Sequence, residues 1–416
     1  MQSLGADIEE ETTEKRLVVA PIQTPDTTTR LSARFAGWID ALKRVWAIYL
    51  ATHLVFLILT YLATLFTSER VAGQHAIFQT LLHFWDRWDT DHFVRIATTG
   101  YTHVVDTAFF PLYPMLIHFL SGIVGDPVVA ALIIANVAGL GVLLVFYRLV
   151  AEDFGAERAE RSVLYLAIFP TAFFLAAAYS ESLFLLCALF SFYYMRRGRW
   201  WLAGLAMFFA TLTRSTGVAL VLPFCYEYLR QRDFQWKKLR LDVLGCAGVG
   251  LALAFYSAYC FICFHDYLAF SHAEWIGWGR RLTWPGAALL RAVQVILSTR
   301  VFEFASTRNL VELSVVLAVL LLLILSFVGP WKFARKDWIY PLFGVVVFLL
   351  CISLPVTAPS NAPLDSLDRY MLAIFPAVMV VAAMGKNRNF HLLYQTLGYS
   401  LVVVYALLFM LHLPFV

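Results

Sequence analysis

The run VVAALIIANVAGLGVLLVFY, residues 128–147, contains no charge and a single amide, Asn136. A stretch of about 20 apolar residues is what an α-helix needs to cross the hydrocarbon core of a bilayer. Comparable runs recur along a chain of 416 residues, of which 61% are hydrophobic and 14% charged, with a mean hydropathy of +0.72. A soluble domain carries about 25% charged residues, so a soluble globular enzyme is excluded. The chain reads as an all-α polytopic membrane protein, because helices satisfy every backbone polar group within lipid. Aromatic residues, at 16%, suit interfacial belts and platforms for sugar rings. The net charge of +4 is not gathered into a basic face, which argues against a nucleic-acid partner. All six cysteines lie in apolar runs and read as small core residues. Cys260 and Cys263 have CxxC spacing but lack the second pair of a zinc site.

Lys and Arg mark the cytoplasmic side of short loops. Six basic clusters separate the apolar runs: Lys15 to Arg44, Arg148 to Arg161, Arg196 to Arg199, Arg230 to Arg240, Lys332 to Lys336 and Lys386 to Arg388. With all six inside, neighbouring clusters must be joined by an even number of crossings. The stretch 108–123, short and carrying Pro111 and Pro114, is therefore laid in the outer interface. Breaks are expected at Tyr179-Ser180-Glu181-Ser182 and at Thr213-Arg214-Ser215-Thr216-Gly217. The expectation is a bundle of about eleven transmembrane helices with the N-terminus inside. Residues 1–43, acidic and then rich in Thr and Pro, are expected to be a disordered cytoplasmic tail. A single membrane domain would then cover 44–416, with an outer loop at 67–127 that holds interfacial, membrane-parallel helices. The polar breaks all fall on the outer side, where short helix ends would line a cavity sunk into that leaflet.

The first outer loop contains Phe84-Trp85-Asp86-Arg87-Trp88-Asp89-Thr90-Asp91-His92. Its carboxylates among tryptophans fit either an amphipathic interfacial helix with its charges in water or a general base held at the membrane surface. Spacings of i,i+3 would place Asp86 with Asp89, and Asp89 with His92, on one helix face. Such pairs leave a divalent metal, Mg or Mn, possible at Asp86 and Asp89 without implying one. Glu181 and Arg214 interrupt apolar runs, where an ionisable group costs roughly 2.5–3.5 kcal/mol on insertion scales. They pair with each other, sit just above the interface, or serve a site. Asp368-Arg369-Tyr370 opens another span from outside. Arg369 is there either as an interfacial anchor or to bind a phosphate through bidentate hydrogen bonds.

Several of these residues fall into a recognisable order. Arg87-Trp88-Asp89 with His92-Phe93, Ile96-Ala97 and Gly100-Tyr101, then Ala108 to Pro114, resembles the signature of the GPI mannosyltransferase 2 family. Asn136, the stretch from Phe169-Pro170 to Ser182, Thr213-Arg214-Ser215 with Gly217, and Arg369-Tyr370 follow in family order. The resemblance implies a GT-C membrane glycosyltransferase, with no cofactor required. It implies transfer of a mannosyl or other hexosyl group from a polyprenyl-phosphate sugar to an acceptor hydroxyl on a lipid- or protein-linked glycan. A phosphate leaving group needs no general acid, so one carboxylate and one cation suffice, with inversion. Asp89 is then the base, Arg214 and Arg369 meet the phosphate, and Glu181 and His92 meet sugar hydroxyls. Asp86, Trp88, Tyr113, Tyr179 and Tyr370 complete the expected substrate site. The compact chain points to a prokaryotic plasma membrane with the site outside, the alternative being a lumenal site in the endoplasmic reticulum. A lipid or sugar transporter without transfer chemistry is the rival; it predicts an internal repeat and polar residues on both sides of the midplane.

Overall fold

The computed structural model describes residues 27–66, 81–82, 84–300, 302–357 and 361–413, with side chains from Ala36 onward. Among these residues there is no β-strand. Helix α1 (Thr27–Ala63) begins well inside the stretch expected to be a tail. Its Ala41 and Val45, spaced i,i+4, are completely buried, so packing extends the helix back through residues 36–43. The rest of the expected tail, residues 1–26, lies outside the described residues, as do 67–80 of the outer loop.

Next come the short helices α2 (Asp89–Thr99) and α3 (Leu112–Val124), then the long α4 (Pro127–Phe154). Asp126 starts α4 cleanly: its carboxylate accepts the N–H groups of Val128 and Val129, and Pro127 takes the first helical position. Helix α5 (Ala156–Ala167) ends just before Phe169-Pro170, where proline removes an N–H and disfavours helix in the residue before it. A 3-10 turn, Ala172–Leu175, leads to α6 (Glu181–Arg196). Helix α7 (Trp200–Thr213) stops where Arg214 turns extended, and a 3-10 turn, Ser215–Leu220, feeds α8 (Val221–Arg230). The chain continues through α9 (Ala247–Phe264), α10 (Ala269–Trp278), α11 (Gly286–Ser298), α12 (Phe304–Phe327), α13 (Ile339–Ile352), α14 (Leu367–Met371), α15 (Phe375–Met384) and α16 (Arg388–Met410).

Five segments are long and apolar enough to cross a membrane by length and composition: Ala36–Phe66, Pro127–Phe154, Leu241–Phe264, Phe304–Phe327 and Arg388–Met410. The other stretches expected to cross hold shorter helices, with breaks at Phe169-Pro170, at Glu181 and at Arg214. At 16 and 14 residues, α6 and α7 rise only about 24 and 21 Å, against a hydrocarbon core of about 30 Å.

One end of the bundle gathers the basic clusters. Arg44 pairs with Glu160, Arg197 with Glu152, and Arg196 donates to Asp153, to Asp337 and to the Lys336 carbonyl. Arg161 donates to the Ala382 carbonyl, beside Lys386. Arg196 also lies 3.5 Å from Glu227, which is tied to Arg230. These contacts tie together five of the six clusters that the charge argument placed on one side, and the Ala382 contact brings the chain to within four residues of the sixth, Lys386 to Arg388. The polar breaks at Glu181 and Arg214 sit at the opposite ends of α6 and α7.

Candidate active site

At that opposite end a cavity of about 710 Å³ opens, lined by residues from the first outer loop, both helix breaks, the 269–282 segment and the start of α14. Its volume is in the range of sites for small organic ligands. Phe110, Phe184, Leu185, Val347 and Leu354 are among its many apolar lining residues, and the charged groups cluster together.

Trp88 adopts a left-handed φ of 53°, so the chain turns sharply and α2 begins at Asp89 itself. This corrects the expectation that Asp86 and Asp89 share a helix face. Asp86 precedes the helix and does not line the cavity. Burial and the neighbouring Asp91 push its carboxyl up to about 6. No group of three or more His, Cys, Asp or Glu able to hold a metal occurs among the described residues.

Asp89 meets Arg369, whose Nη1 donates to Oδ2 at 2.7 Å. Burial raises the Asp89 carboxyl, but Arg369, with His92 and Arg214 further off, outweighs it and holds the group below the usual carboxylate range. Arg369 Nε lies 3.3 Å from Glu181 Oε1, an ion pair without hydrogen-bond alignment. Its Nη2 donates to the Tyr370 hydroxyl at 3.2 Å, and the guanidinium lies 5.0–5.4 Å from the ring centroids of Tyr370, Tyr179 and Phe174. Glu181, 7% exposed at the start of α6, accepts from Arg214 Nη1 at 2.6 Å. Its Oε2 is buried and has no protein partner. Arg214 also donates to Ser180 Oγ and faces the Tyr370 ring at 5.1 Å. Glu181 and Arg214 do pair with each other, as one reading of the sequence held, and they do so on the cavity wall.

Other expected site residues stand behind the wall. The Tyr179 hydroxyl donates to the Arg87 carbonyl and accepts the Asp89 N–H at 3.3 Å, so it positions the start of α2. His92 stacks on Phe109 at 4.5 Å and sits beside Arg95 and Asp106, off the cavity lining. Tyr113 is fully buried and donates to the Ala131 carbonyl, which makes it packing rather than a sugar contact. Trp88 packs its ring 4.3 Å from His412.

Sequence reasoning missed Arg280, whose Nη1 donates to Glu274 Oε2 and to the Tyr370 hydroxyl, both at 3.1 Å. Two consecutive arginines, Arg280 and Arg281, in an outer loop that also holds Trp275, Trp278 and Trp284 were the available signal. Loop cations on the side that normally lacks them need a local partner.

The fold and this cluster define a helical membrane protein whose ionised site opens at the end remote from its basic surface. A family model, Mannosyltransferase (PIG-V), matches residues 49–278, more than half of the chain. The chain belongs to that family. Among curated relatives, GPI alpha-1,6-mannosyltransferase 2 of Cricetulus griseus is 31% identical over 176 residues, 38% of this chain and 35% of that protein. GPI mannosyltransferase 2 of Schizosaccharomyces pombe is 24% identical over 216 residues, 51% of this chain and 45% of that protein. The matches thus span between about a third and a half of these relatives. ArnT from Cupriavidus metallidurans, in its crystal structure bound to undecaprenyl phosphate, is similar at 15% identity and a TM-score of 0.47, over 87% of this chain and 75% of that one.

Proposed function

We propose that this protein is a membrane glycosyltransferase that moves a mannosyl, or other hexosyl, group from a polyprenyl-phosphate donor to the hydroxyl of a lipid- or protein-linked glycan. Mannose is the sugar in the family's description and in the relatives' names. The observation that carries the reading is the meeting of Asp89, Glu181, Arg214 and Arg369, from four separate segments, in one largely apolar cavity. Apolar walls suit a prenyl chain, arginines suit its phosphate, and carboxylates suit sugar hydroxyls.

In the proposed reaction the acceptor oxygen attacks the anomeric carbon from the face opposite the phosphate. The sugar–phosphate bond breaks, and the electron pair leaves with the phosphate as a monoester. Asp89 takes the acceptor proton on Oδ1, the oxygen that Arg369 leaves free. One displacement inverts the anomeric centre. The arginine wall meets the charge that grows on the leaving oxygen, and Glu181 Oε2 is available to orient a sugar hydroxyl. The site would face the outside of a prokaryotic plasma membrane, or the lumen of the endoplasmic reticulum, because the basic clusters occupy the other end of the bundle and mark the cytoplasmic side.

The test is an assay of the purified protein with labelled polyprenyl-phosphate mannose and extracted lipid or glycoprotein acceptors. Transfer that Asp89→Asn abolishes supports the reading. Movement of the donor across vesicles without any glycosylated product would replace it with a transporter.

A further inference from the structure

Tyr370 stands at the centre of three guanidinium groups. Those of Arg369, Arg214 and Arg280 lie 5.0, 5.1 and 5.5 Å from its ring centroid. A phenol hydroxyl has two lone pairs and one proton to place. Arg280 at 3.1 Å and Arg369 at 3.2 Å donate to the oxygen and occupy both lone pairs. In both of its hydrogen bonds the hydroxyl oxygen accepts, so no acceptor among the described residues takes the proton, and Tyr370 lines the cavity. An O–H whose oxygen is held by two cations is polarised, and it wants an anionic acceptor.

The three arginines are not equally free to supply the rest of such a site. Arg369 is spread over Asp89, Glu181, Tyr370 and three aromatic faces. Withdrawing it to serve a phosphate would release Asp89. Arg280 is held by one carboxylate, Glu274, through a single 3.1 Å contact, and beyond that and the Tyr370 hydroxyl its N–H groups have no acceptor among the described residues. Glu274 is itself on the cavity wall and 33% exposed, so it can turn to solvent when an anion arrives.

We propose that Arg280 and the Tyr370 hydroxyl form the phosphate subsite of the cavity, with Arg214 facing them across the ring, and that Arg369 is the positioning residue of Asp89. The ligand class is the phosphate of a prenyl phosphodiester and of the prenyl phosphate monoester left after transfer. This rests on the donor class proposed above, and the experiment separates the two.

Equilibrium binding of undecaprenyl monophosphate to the full-length protein in detergent micelles is measured, with undecaprenol as the uncharged control. Arg280→Ala is expected to weaken monophosphate binding about ten- to a hundred-fold, the cost of a charge-assisted hydrogen bond, and to leave undecaprenol binding unchanged. Tyr370→Phe, which keeps the ring, should weaken it several-fold. Glu274→Gln removes the competing carboxylate and should tighten it; a purely structural Glu274–Arg280 brace would instead make that variant lose binding. Monophosphate affinity that is equal in wild type, Arg280→Ala and Tyr370→Phe overturns the proposal. If Arg280-dependent phosphate binding is found but no sugar is ever transferred, the glycosyltransferase reading falls and the subsite stands. If sugar is transferred while phosphate binding ignores Arg280, the reverse holds.

Discussion

At Asp89 the two carboxylate oxygens have different surroundings. Oδ2 holds Arg369, while Oδ1 accepts no hydrogen bond among the described residues, and the side chain is 25% exposed to the cavity. Replacing Asp89 with Asn keeps the size and removes the proton acceptor. Turnover should fall about 10²–10⁴-fold, with undecaprenyl phosphate binding nearly intact; near-normal turnover would hand the base role to Glu181. The depressed Asp89 carboxyl also fixes the pH profile. Because the folded value lies below the ordinary one, the base stays ionised into the acid range and is lost only as pH falls through that lowered value. Arg369→Ala removes the main opposing cation and leaves burial, so the acid limb of kcat/KM should move to higher pH. Asp86 has the opposite sign. Its folded value, about 6, lies above that of a free carboxylate near 3.9, so ionised Asp86 destabilises the fold. That penalty is complete above about pH 6 and fades as pH falls toward the ordinary value. Asp86→Asn should therefore raise the melting temperature at pH 7.5, and raise it less at pH 5. Glu181 and Arg214 were legible in the sequence because a charge within an apolar run has to be explained, and Arg369 because it stands at the outer start of a span. Arg280 was not, because a loop arginine looks solvated until its partners Glu274 and Tyr370 are seen. The error over Asp86 came from Trp88: its left-handed backbone, which cuts Asp86 off from α2, leaves no mark in a sequence of ordinary L-residues.

The breaks between helices carry the site, and each has a local cause. Arg214 is extended, with φ −153° and ψ 142°, so its side chain leaves the helical cylinder and reaches Glu181 on α6. Behind it, Gly217 folds against the end of α7, where an added Cβ would lie 2.6 Å from Thr211 Cα and 2.7 Å from Thr211 N. Backbone there cannot yield as a flexible side chain would. Gly217→Ala should push the 3-10 turn Ser215–Leu220 away from α7, cost about 1–3 kcal/mol of stability and lower turnover by separating Arg214 from Glu181. Thermal unfolding and donor kinetics would check both; a variant with unchanged stability and kinetics would show that the turn has slack. That a break falls between Arg161 and Arg196 and another between Arg199 and Arg230 followed from charge parity, since an odd number of crossings would have put a basic cluster outside; the polar residues around Glu181 and Arg214 marked the places. The content of the 265–308 loop did not follow. Its helices α10 and α11 contain apolar residues at helical spacing like many others, and what matters, the packing of α10 against the 104–108 turn, is a long-range contact.

Across the whole molecule, charge is sorted by end. One end ties Arg44, Arg161, Arg196 and Arg197 to carboxylates and carbonyls of neighbouring segments, and the other holds Asp89, Glu181, Arg214, Arg280 and Arg369 around the cavity. The count of eleven crossings goes beyond the five segments that qualify by length. The sorting does not depend on that count, because α6 and α7 each run directly from one end to the other. Short helices thin the barrier at the site end, which lets a cavity with ionised walls exist where full-length apolar helices would have closed it. If the basic end is cytoplasmic, Thr98 on α2, which is exposed and bonds only within its own helix, faces outward. Lys237, exposed in the 3-10 turn Trp236–Lys238, faces inward. In a background without the exposed native thiols Cys225 and Cys263, Thr98→Cys should react with an impermeant maleimide added to intact cells. Lys237→Cys should react only after the membrane is opened. Labelling of both from the same side would overturn the orientation, and with it the outward-facing donor site.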